Sequence, residues 1–554
     1  MCTRANVKAF LKIPIDIIYV NAIMYLIQLR RQKMLNVKDM TLEQKIGTVL
    51  CSCVIYDKDE NEEFLLNLIK KRACSCVRIS AIKGNRERIK RIREAADYPI
   101  LILTDMERGY EPSGRELVPM LSLAACGNPE YVRAFAAAIA HDAMADGFSG
   151  CWSPVLDILH ANAPVAVSRT AGDCPEKIMD FARELNKVFA SYNFQSTGKH
   201  YPGGGQDLPL DTHMVEGVCS KTEKELLECD LVPYLELWRE GLLPSIMTRH
   251  CVFPNIDPDY PASLSKKVID IIKRQGYDGL LITDSLAMMG IMQKYGEKEA
   301  YALALMAGND IIMPNCRTKN EVIFNLMLEA YHEGLFTEER LNEACERVLR
   351  YAEQFAKPGE NPYPVPENID EILSNVSRDC ITAICDDGFE VSIPKDKKRL
   401  FIVMTDQGYA GVDQEIKMSG WYSPKRIVEA ITKNFPNADI ELISEYPDAY
   451  RNEQVLNAAT KHDEVVFVTY CATGPYLGTD CLTRRIESVI NALTLSGKIE
   501  TIVHFGNPLA LDTLMHVPRR IFGYSAPKSQ TYAIEALAGV IEAKGKNPFP
   551  TLLK

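Results

Sequence analysis

The chain has 554 residues, 47% of them hydrophobic and 25% charged, which is the balance of a folded globular protein too long for one hydrophobic core. Two domains are therefore expected, and a formal net charge of -11 argues against nucleic acid, whose phosphates require a basic surface. The 17 cysteines are odd in number and scattered, so a reducing cytoplasm fits better than a secreted disulfide framework.

Residues 13–29 are apolar but interrupted by Pro14, Asp16, Asn21 and Gln28, with basic residues on both sides. A charge near the centre of a membrane helix costs about 2.5–3.5 kcal/mol on insertion scales, and the run is barely long enough to span. No small-residue cleavage site follows it, which disfavours a secretory signal. Residues 1–33 are read as an extension outside the fold, with a membrane anchor as the competing reading. Met34 then precedes a capping box, Thr41-Leu42-Glu43-Gln44, that marks the first helix.

Across 34–356, short apolar runs at 75–79, 99–104, 151–155, 194–198, 244–248, 279–283 and 310–313 alternate with amphipathic helical stretches. Helices are expected at 85–96, 129–146, 175–190, 222–238, 265–274 and 297–307. Alternation at this spacing predicts parallel strands joined by helical crossovers, and about eight such units amount to a (β/α)8 barrel. Cys51-Ser52-Cys53 and Cys74-Ser75-Cys76 could supply four thiolates to zinc. The spacing suits structural zinc poorly, and small apolar filler in buried strands is the preferred reading.

A proline-rich break at 357–366 marks the expected linker, and 367–554 a second α/β domain. After a helical stretch at 369–385 its strands are expected at 399–404, 439–443, 464–470, 500–505 and 520–524. Helices at 425–434, 453–461, 483–494, 508–515 and 529–541 complete a doubly wound pattern. The first strand turn, Thr405-Asp406-Gln407-Gly408, lacks a nucleotide fingerprint.

The most informative stretch is Gly198-Lys199-His200-Tyr201-Pro202-Gly203-Gly204-Gly205, followed by Gln206-Asp207-Leu208-Pro209-Leu210-Asp211-Thr212-His213. The glycine run predicts a shaped loop, because glycine reaches backbone angles closed to other residues. A carboxylate two residues before a histidine can hold the ring in one tautomer and stabilise its charged form. His200, Asp207, Asp211 and His213 match no metal-ligand spacing, and no metal or cofactor is expected.

Downstream come Met247-Thr248-Arg249-His250, Pro261-Ala262-Ser263-Leu264-Ser265 and Gly279-Leu280-Leu281-Ile282-Thr283-Asp284-Ser285, with weaker echoes at Asp105-Met106-Glu107, Ser153-Pro154-Val155-Leu156-Asp157 and Ser168-Arg169. In order and content this series resembles the glycoside hydrolases of family 3, in their β-N-acetylhexosaminidase branch, from about residue 40 to 314. The resemblance implies a retaining, exo-acting β-N-acetylglucosaminidase-like hydrolase that acts through a covalent glycosyl-enzyme. It assigns Asp284 as nucleophile and His213 with Asp211 as acid–base dyad. Asp105, Arg169, Lys199, His200, Arg249 and His250 would contact the sugar.

The sequence also departs from that family. Five residues separate Gly205 from Asp211 where four are usual. Tyr110 stands where an arginine is common, Arg249 where a small residue is common, and Arg169-Thr170-Ala171-Gly172 replaces Arg-Ser-Phe-Gly. These changes leave a β-glucosidase or β-xylosidase, a β-glycoside phosphorylase and a non-catalytic sugar-binding protein as alternatives. A small carbohydrate is the expected partner. A cytoplasmic role in recycling cell-wall fragments is the expected setting, and the oligomeric state is open.

Overall fold

Eight parallel segments close a ring in the computed structural model, which describes residues 35–54, 59–163, 165–208, 210–405, 422–472, 474–478 and 480–554. The extension expected at 1–33 and residues 406–408 of the first turn in the second domain lie outside the described residues. Strands Cys51–Val54, Cys76–Ile79, Leu101–Thr104 and Gly150–Cys151 pair in that order. Thr197–Tyr201, Ser245–Thr248 and Leu280–Thr283 form a second arc. Parallel bridges join the arcs, Gly150 to Gln195 on one side, and Ile282 to Ile311 then Ile312 to Leu50 on the other. The eighth stave is held by main-chain bonds from Thr283 N–H to Ile311 (3.1 Å) and from Cys51 N–H to Ile312 (2.9 Å). The fold is a (β/α)8 barrel with one irregular stave.

Side-chain alternation fills it. Leu101, Leu103, Leu280 and Ile282 join Trp152, Met247 and Met313 in an interior cluster, while Ile102 and Leu281 face the helices. Val348, Tyr351 and Ala352 of the Glu338–Gln354 helix join the same interior cluster where the strands begin. Cys51 and Cys76 are cross-strand partners within it, whereas the Cys74 thiol turns to Ser52, so the four sulfurs do not converge.

Asp105 and Asp284 follow directly on the strands that end at Thr104 and Thr283, as do Arg249 and His250 on Ser245–Thr248. Lys199 and His200 differ from expectation: the strand runs Thr197–Tyr201, so both lie inside it rather than beyond a run at 194–198. Polar residues can occupy this strand because its last residues reach the mouth of the barrel.

The second sheet runs, edge to edge, Thr382–Cys385, Arg519–Tyr524, Ile499–Gly506, Glu464–Cys471, Arg399–Thr405 and Asp439–Ser444. All neighbours are parallel except the Thr382–Cys385 edge. Helix Pro424–Asn434 packs on Ser529–Leu537 and Ala449–Thr460 on Arg484–Leu495, giving the doubly wound arrangement. Two expectations are corrected. The helix expected at 369–385 ends at Asp379, and Thr382–Cys385 is drawn into the sheet by pairing with Arg519–Tyr524. The helix expected at 508–515 is one tight turn, Pro508–Leu511.

The 357–366 segment contains no helix or strand and lies on a barrel helix, with Gly359 N–H donating to Tyr192 (2.9 Å) and the Tyr192 hydroxyl to the Tyr363 carbonyl (2.6 Å). We propose it as the linker between units 34–356 and 367–554. The units also touch elsewhere: Asn507 donates to Asn162 (2.8 Å), and Asp173 accepts from the Thr551 backbone (2.7 Å). No helix among the described residues is long and apolar enough to cross a membrane.

Candidate active site

Asp284 leaves the Leu280–Thr283 strand with its backbone N–H bonded to the Thr248 carbonyl at 2.8 Å, which fixes the turn. One carboxylate oxygen accepts from Ser285 N–H (2.6 Å), and the other stands 4.0 Å from His200 Nε2. Burial pushes this acid toward its neutral form. The neighbouring His200 and His250 rings and the Ser285 N–H outweigh it and lower the value to about 2. The group is therefore a carboxylate at any neutral pH.

His200 is held by Asp157. The carboxylate lies 2.7 Å from ring Nδ1, so Nδ1 carries the proton and Nε2 faces Asp284. Desolvation opposes ionisation of Asp157, yet the His200 ring keeps its acid below the usual carboxylate value. Next to this pair lies a chain of four charges. Lys199, 1% exposed, donates to Asp105 (2.7 Å) and reaches Glu107 at 2.6 Å. Arg169 grips both oxygens of Glu107 at 2.8 and 2.7 Å, a bidentate pair, and its other contact is His200 Nε2 at 3.4 Å. Burial alone would discharge Lys199, but the two carboxylates raise its value above the ordinary one. Burial likewise opposes ionisation of Glu107, yet Arg169 and Lys199 hold it far below the usual range.

Glu107 and Asp157 fall within the motif echoes at Asp105-Met106-Glu107 and Ser153-Pro154-Val155-Leu156-Asp157, but were given no role at the site from sequence. The available signal was position alone: both lie just past barrel segments, Glu107 two residues after Asp105. Their function as anchors for Lys199, Arg169 and His200 follows only from the assembled mouth.

The dyad sits on the glycine loop. Gly203, Gly204 and Gly205 have φ of 76, 90 and 71°, the left-handed region that requires glycine. Asp230, buried, accepts from Gly204 N–H (2.9 Å) and anchors the run. Farther along, Asp211 Oδ1 accepts from His213 N–H and lies beside His213 Nδ1, both at 2.9 Å. Nε2 of the ring has no hydrogen-bond partner among the described residues. Asp211 Oδ2 accepts from the backbone N–H of Tyr476 (2.6 Å), a residue of the second α/β unit that sequence reasoning missed. Asp207 plays no part in the dyad; it accepts from the Ser220 N–H (2.9 Å) and hydroxyl (2.5 Å) and closes the base of the loop.

Two expected sugar contacts, His250 and Arg249, have different surroundings, and Tyr110, noted as a departure from the family, lies elsewhere. His250 is buried with Nδ1 2.7 Å from the Ser263 hydroxyl and Nε2 3.0 Å from the Ser285 carbonyl. Nε2 must donate to a carbonyl, so both nitrogens are used in steadying the Asp284–Ser285 turn rather than offered to a hydroxyl. Burial lowers its value, favouring the neutral ring. Arg249 donates to the carbonyls of Gly203 (3.0 Å) and Gly205 (3.3 Å), so its first use is to shape the loop. Tyr110 turns away from the mouth, with its hydroxyl on Asp146 (2.5 Å) and its ring edge-on to Phe148.

Asp105, Lys199, Arg169, His200, His213 and Asp284 all line one cavity of about 730 Å³, which Tyr476 borders from the second unit. A smaller cavity of about 260 Å³ shares His213, His200, Arg169 and Asp284 and extends past His160 and Arg249. A parallel barrel that presents an ionised carboxylate and a carboxylate-held imidazole on one cavity has groups of the kind that nucleophilic and acid–base chemistry needs.

Comparison with known proteins gives the family. Residues 38–351 match the domain described as the glycosyl hydrolase family 3 N terminal domain, and the chain belongs to that family. It is 26% identical over 330 residues to a β-N-acetylglucosaminidase/β-glucosidase of Cellulomonas fimi, covering 56% of this chain and 57% of that one. It is 29% identical over 233 residues to a β-hexosaminidase of Tolumonas auensis, covering 41% of this chain and 69% of that protein. The chain thus spans little more than half the length of the Cellulomonas relative. Among solved structures, a family 3 β-N-acetylglucosaminidase from Paenibacillus sp. str. FPU-7 superposes with TM-score 0.73 at 22% identity, covering 93% of this chain and all of that one. The β-glucoside phosphorylase BglX bound to 2FGlc has TM-score 0.75 at 21% identity, covering 97% of each chain.

Proposed function

We propose that the protein is a retaining, exo-acting β-N-acetylglucosaminidase-like glycoside hydrolase that uses double displacement. The observation that carries this reading is the placement of an ionised Asp284 and a His213 ring, its Nδ1 held by Asp211, on one cavity. A terminal sugar is held by Asp105, Lys199, Arg169 and His200, whose ionic groups suit hydroxyl recognition. Asp284 attacks the anomeric carbon while His213 Nε2–H protonates the departing oxygen, giving a glycosyl-enzyme. The now neutral ring takes a proton from water, which breaks the ester and restores Asp284. Asp211 offsets the imidazolium charge at each proton transfer.

The Cellulomonas and Tolumonas relatives support a 2-acetamido sugar. The described cysteines are free thiols, most of them buried, which supports a cytoplasmic setting and, with that sugar, a role in recycling cell-wall fragments. The expected outcome with aryl β-glycosides is a kcat/KM on the N-acetylglucosaminide about a hundredfold above that on the glucoside, equivalent to about 2.7 kcal/mol. A better rate on the glucoside or xyloside moves the protein to those specificities. Cleavage of no glycoside supports a binding protein.

One observation favours a second reading, phosphorolysis. The smaller cavity brings His160, Arg169 and Arg249 to the His213 side of Asp284, and an uncharged imidazole does not repel an incoming phosphate as a carboxylate would. Assay with and without phosphate separates the two, because phosphorolysis releases a sugar 1-phosphate.

A further inference from the structure

The second α/β unit reaches the barrel mouth through the loop after Glu464–Cys471, and its Tyr476 meets the dyad in two ways. The backbone N–H donates to Asp211 Oδ2 at 2.6 Å, and the ring lies 5.5 Å from the His213 ring, tilted by 58°. Tyr476 holds φ of 65°, a left-handed conformation that disfavours any residue with a Cβ. Its side chain is nevertheless 45% exposed and borders the 730 Å³ cavity. A loop clamp needs only the N–H, which glycine would supply without strain. The aromatic ring has a separate use.

We propose that Tyr476 is a specificity residue of the proposed glycosidase: its ring is the platform on which the leaving-group sugar packs. The argument is one of position. The cavity lining carries charged groups suited to the sugar that is attacked, namely Asp105, Lys199, Arg169 and His200. His213 protonates the oxygen joining that sugar to the leaving group, so the leaving group departs past the His213 ring. Tyr476 stands against that ring. A rigid amphipathic ring at such a place offers an apolar face to a sugar ring at little entropic cost.

The test compares two substrates that differ in having a ring to stack. For β-1,4-linked di-N-acetylglucosamine, Tyr476→Gly, which keeps the N–H and suits the backbone angle, is expected to lower kcat/KM about tenfold, mostly through KM. For N-acetylglucosaminyl fluoride the same variant should lose several-fold less than on the disaccharide, because fluoride has no sugar face to pack. Tyr476→Phe should retain the disaccharide rate, and the pH profile of Tyr476→Gly should match wild type. Equal losses on both substrates, no loss on the disaccharide, or loss in Tyr476→Phe overturns the proposal and leaves the glycosidase reading standing. A wild-type protein that cleaves neither substrate overturns that reading and this inference with it.

Discussion

At Asp284, burial and local charge act in opposite directions, and charge prevails, taking the group from 3.8 to about 2. A carboxylate whose folded value is depressed stays ionised as the pH falls until that lower value is reached. Labelling by a 2-fluoro-sugar with an activated leaving group, which needs no acid, should therefore proceed nearly undiminished from about pH 7 to about pH 3 and mark Asp284. Loss of labelling with a midpoint near the ordinary aspartate value would show that the neighbouring rings do not sustain the charge. Asp284→Ala should fold and lose several orders of magnitude in turnover, because no other carboxylate can form the intermediate. His213→Ala should slow poor leaving groups far more than activated aryl glycosides, since only the former need a proton at the first step. Equal slowing of both would reduce His213 to a loop-positioning role, and Asp211→Ala should shift the pH profile in the same assay.

At the scale of elements, the loop that carries the dyad depends on glycine for space as well as for backbone angle. A Cβ on Gly204 would lie 3.1 Å from Cys219 Sγ, Leu226 Cδ2 and Phe253 Cε1, at φ of 90°. Those side chains would have to give by a few tenths of an ångström, at a backbone angle strained for any residue with a Cβ. Gly204→Ala is expected to cost about 1–3 kcal/mol of stability and to lower kcat about a hundredfold through misplacement of the acid. Gly241 provides the control, since it has φ of 72° but nothing within 4 Å of its Cβ position. Gly241→Ala should lower the melting temperature slightly and leave kcat unchanged. A Gly204→Ala enzyme with wild-type kcat would mean that the dyad does not rely on this run.

At the scale of the whole molecule, the Asp211–His213 pair draws on distant parts of the chain, because Asp211 is held by a backbone N–H from Tyr476, beyond the proposed linker. The end of the chain returns to the barrel and adds a second tie. Asp173 accepts from the Thr551 N–H (2.7 Å), the Thr551 hydroxyl (2.6 Å) and the Leu552 N–H (3.2 Å). Asp173→Ala removes the acceptor for three donors and should cost about 1–3 kcal/mol, seen as a lower melting temperature and faster amide exchange at Thr551 and Leu552. Unchanged exchange there would show that the segment is held by packing of Phe549 and Leu553, both buried, instead.

The sequence by itself determined the barrel, the doubly wound second sheet and the run of chemistry-bearing motifs, because strand and helix periodicity and glycine spacing are local properties that survive without knowledge of contacts. The resemblance of its motifs to a family pointed to Asp284, Asp211 and His213, and the fold brings Asp284 and His213 onto one cavity with Asp211 beside the His213 ring. What only the tertiary structure decided were relations between residues far apart in the chain. Glu107 bridges Lys199 and Arg169, Asp157 orients His200, and Tyr476 holds Asp211 across 265 positions. Tyr110 and His250 show the same limit from the other side: each sits beside a motif, yet one points to Asp146 and the other spends both nitrogens on Ser263 and Ser285. The edge strand Thr382–Cys385 adopts its form through pairing with Arg519–Tyr524, a partner more than a hundred residues away. Local pattern fixes which face of a segment is apolar, but the partner of a polar group is fixed by how the segments dock, and that is a property of the assembled molecule.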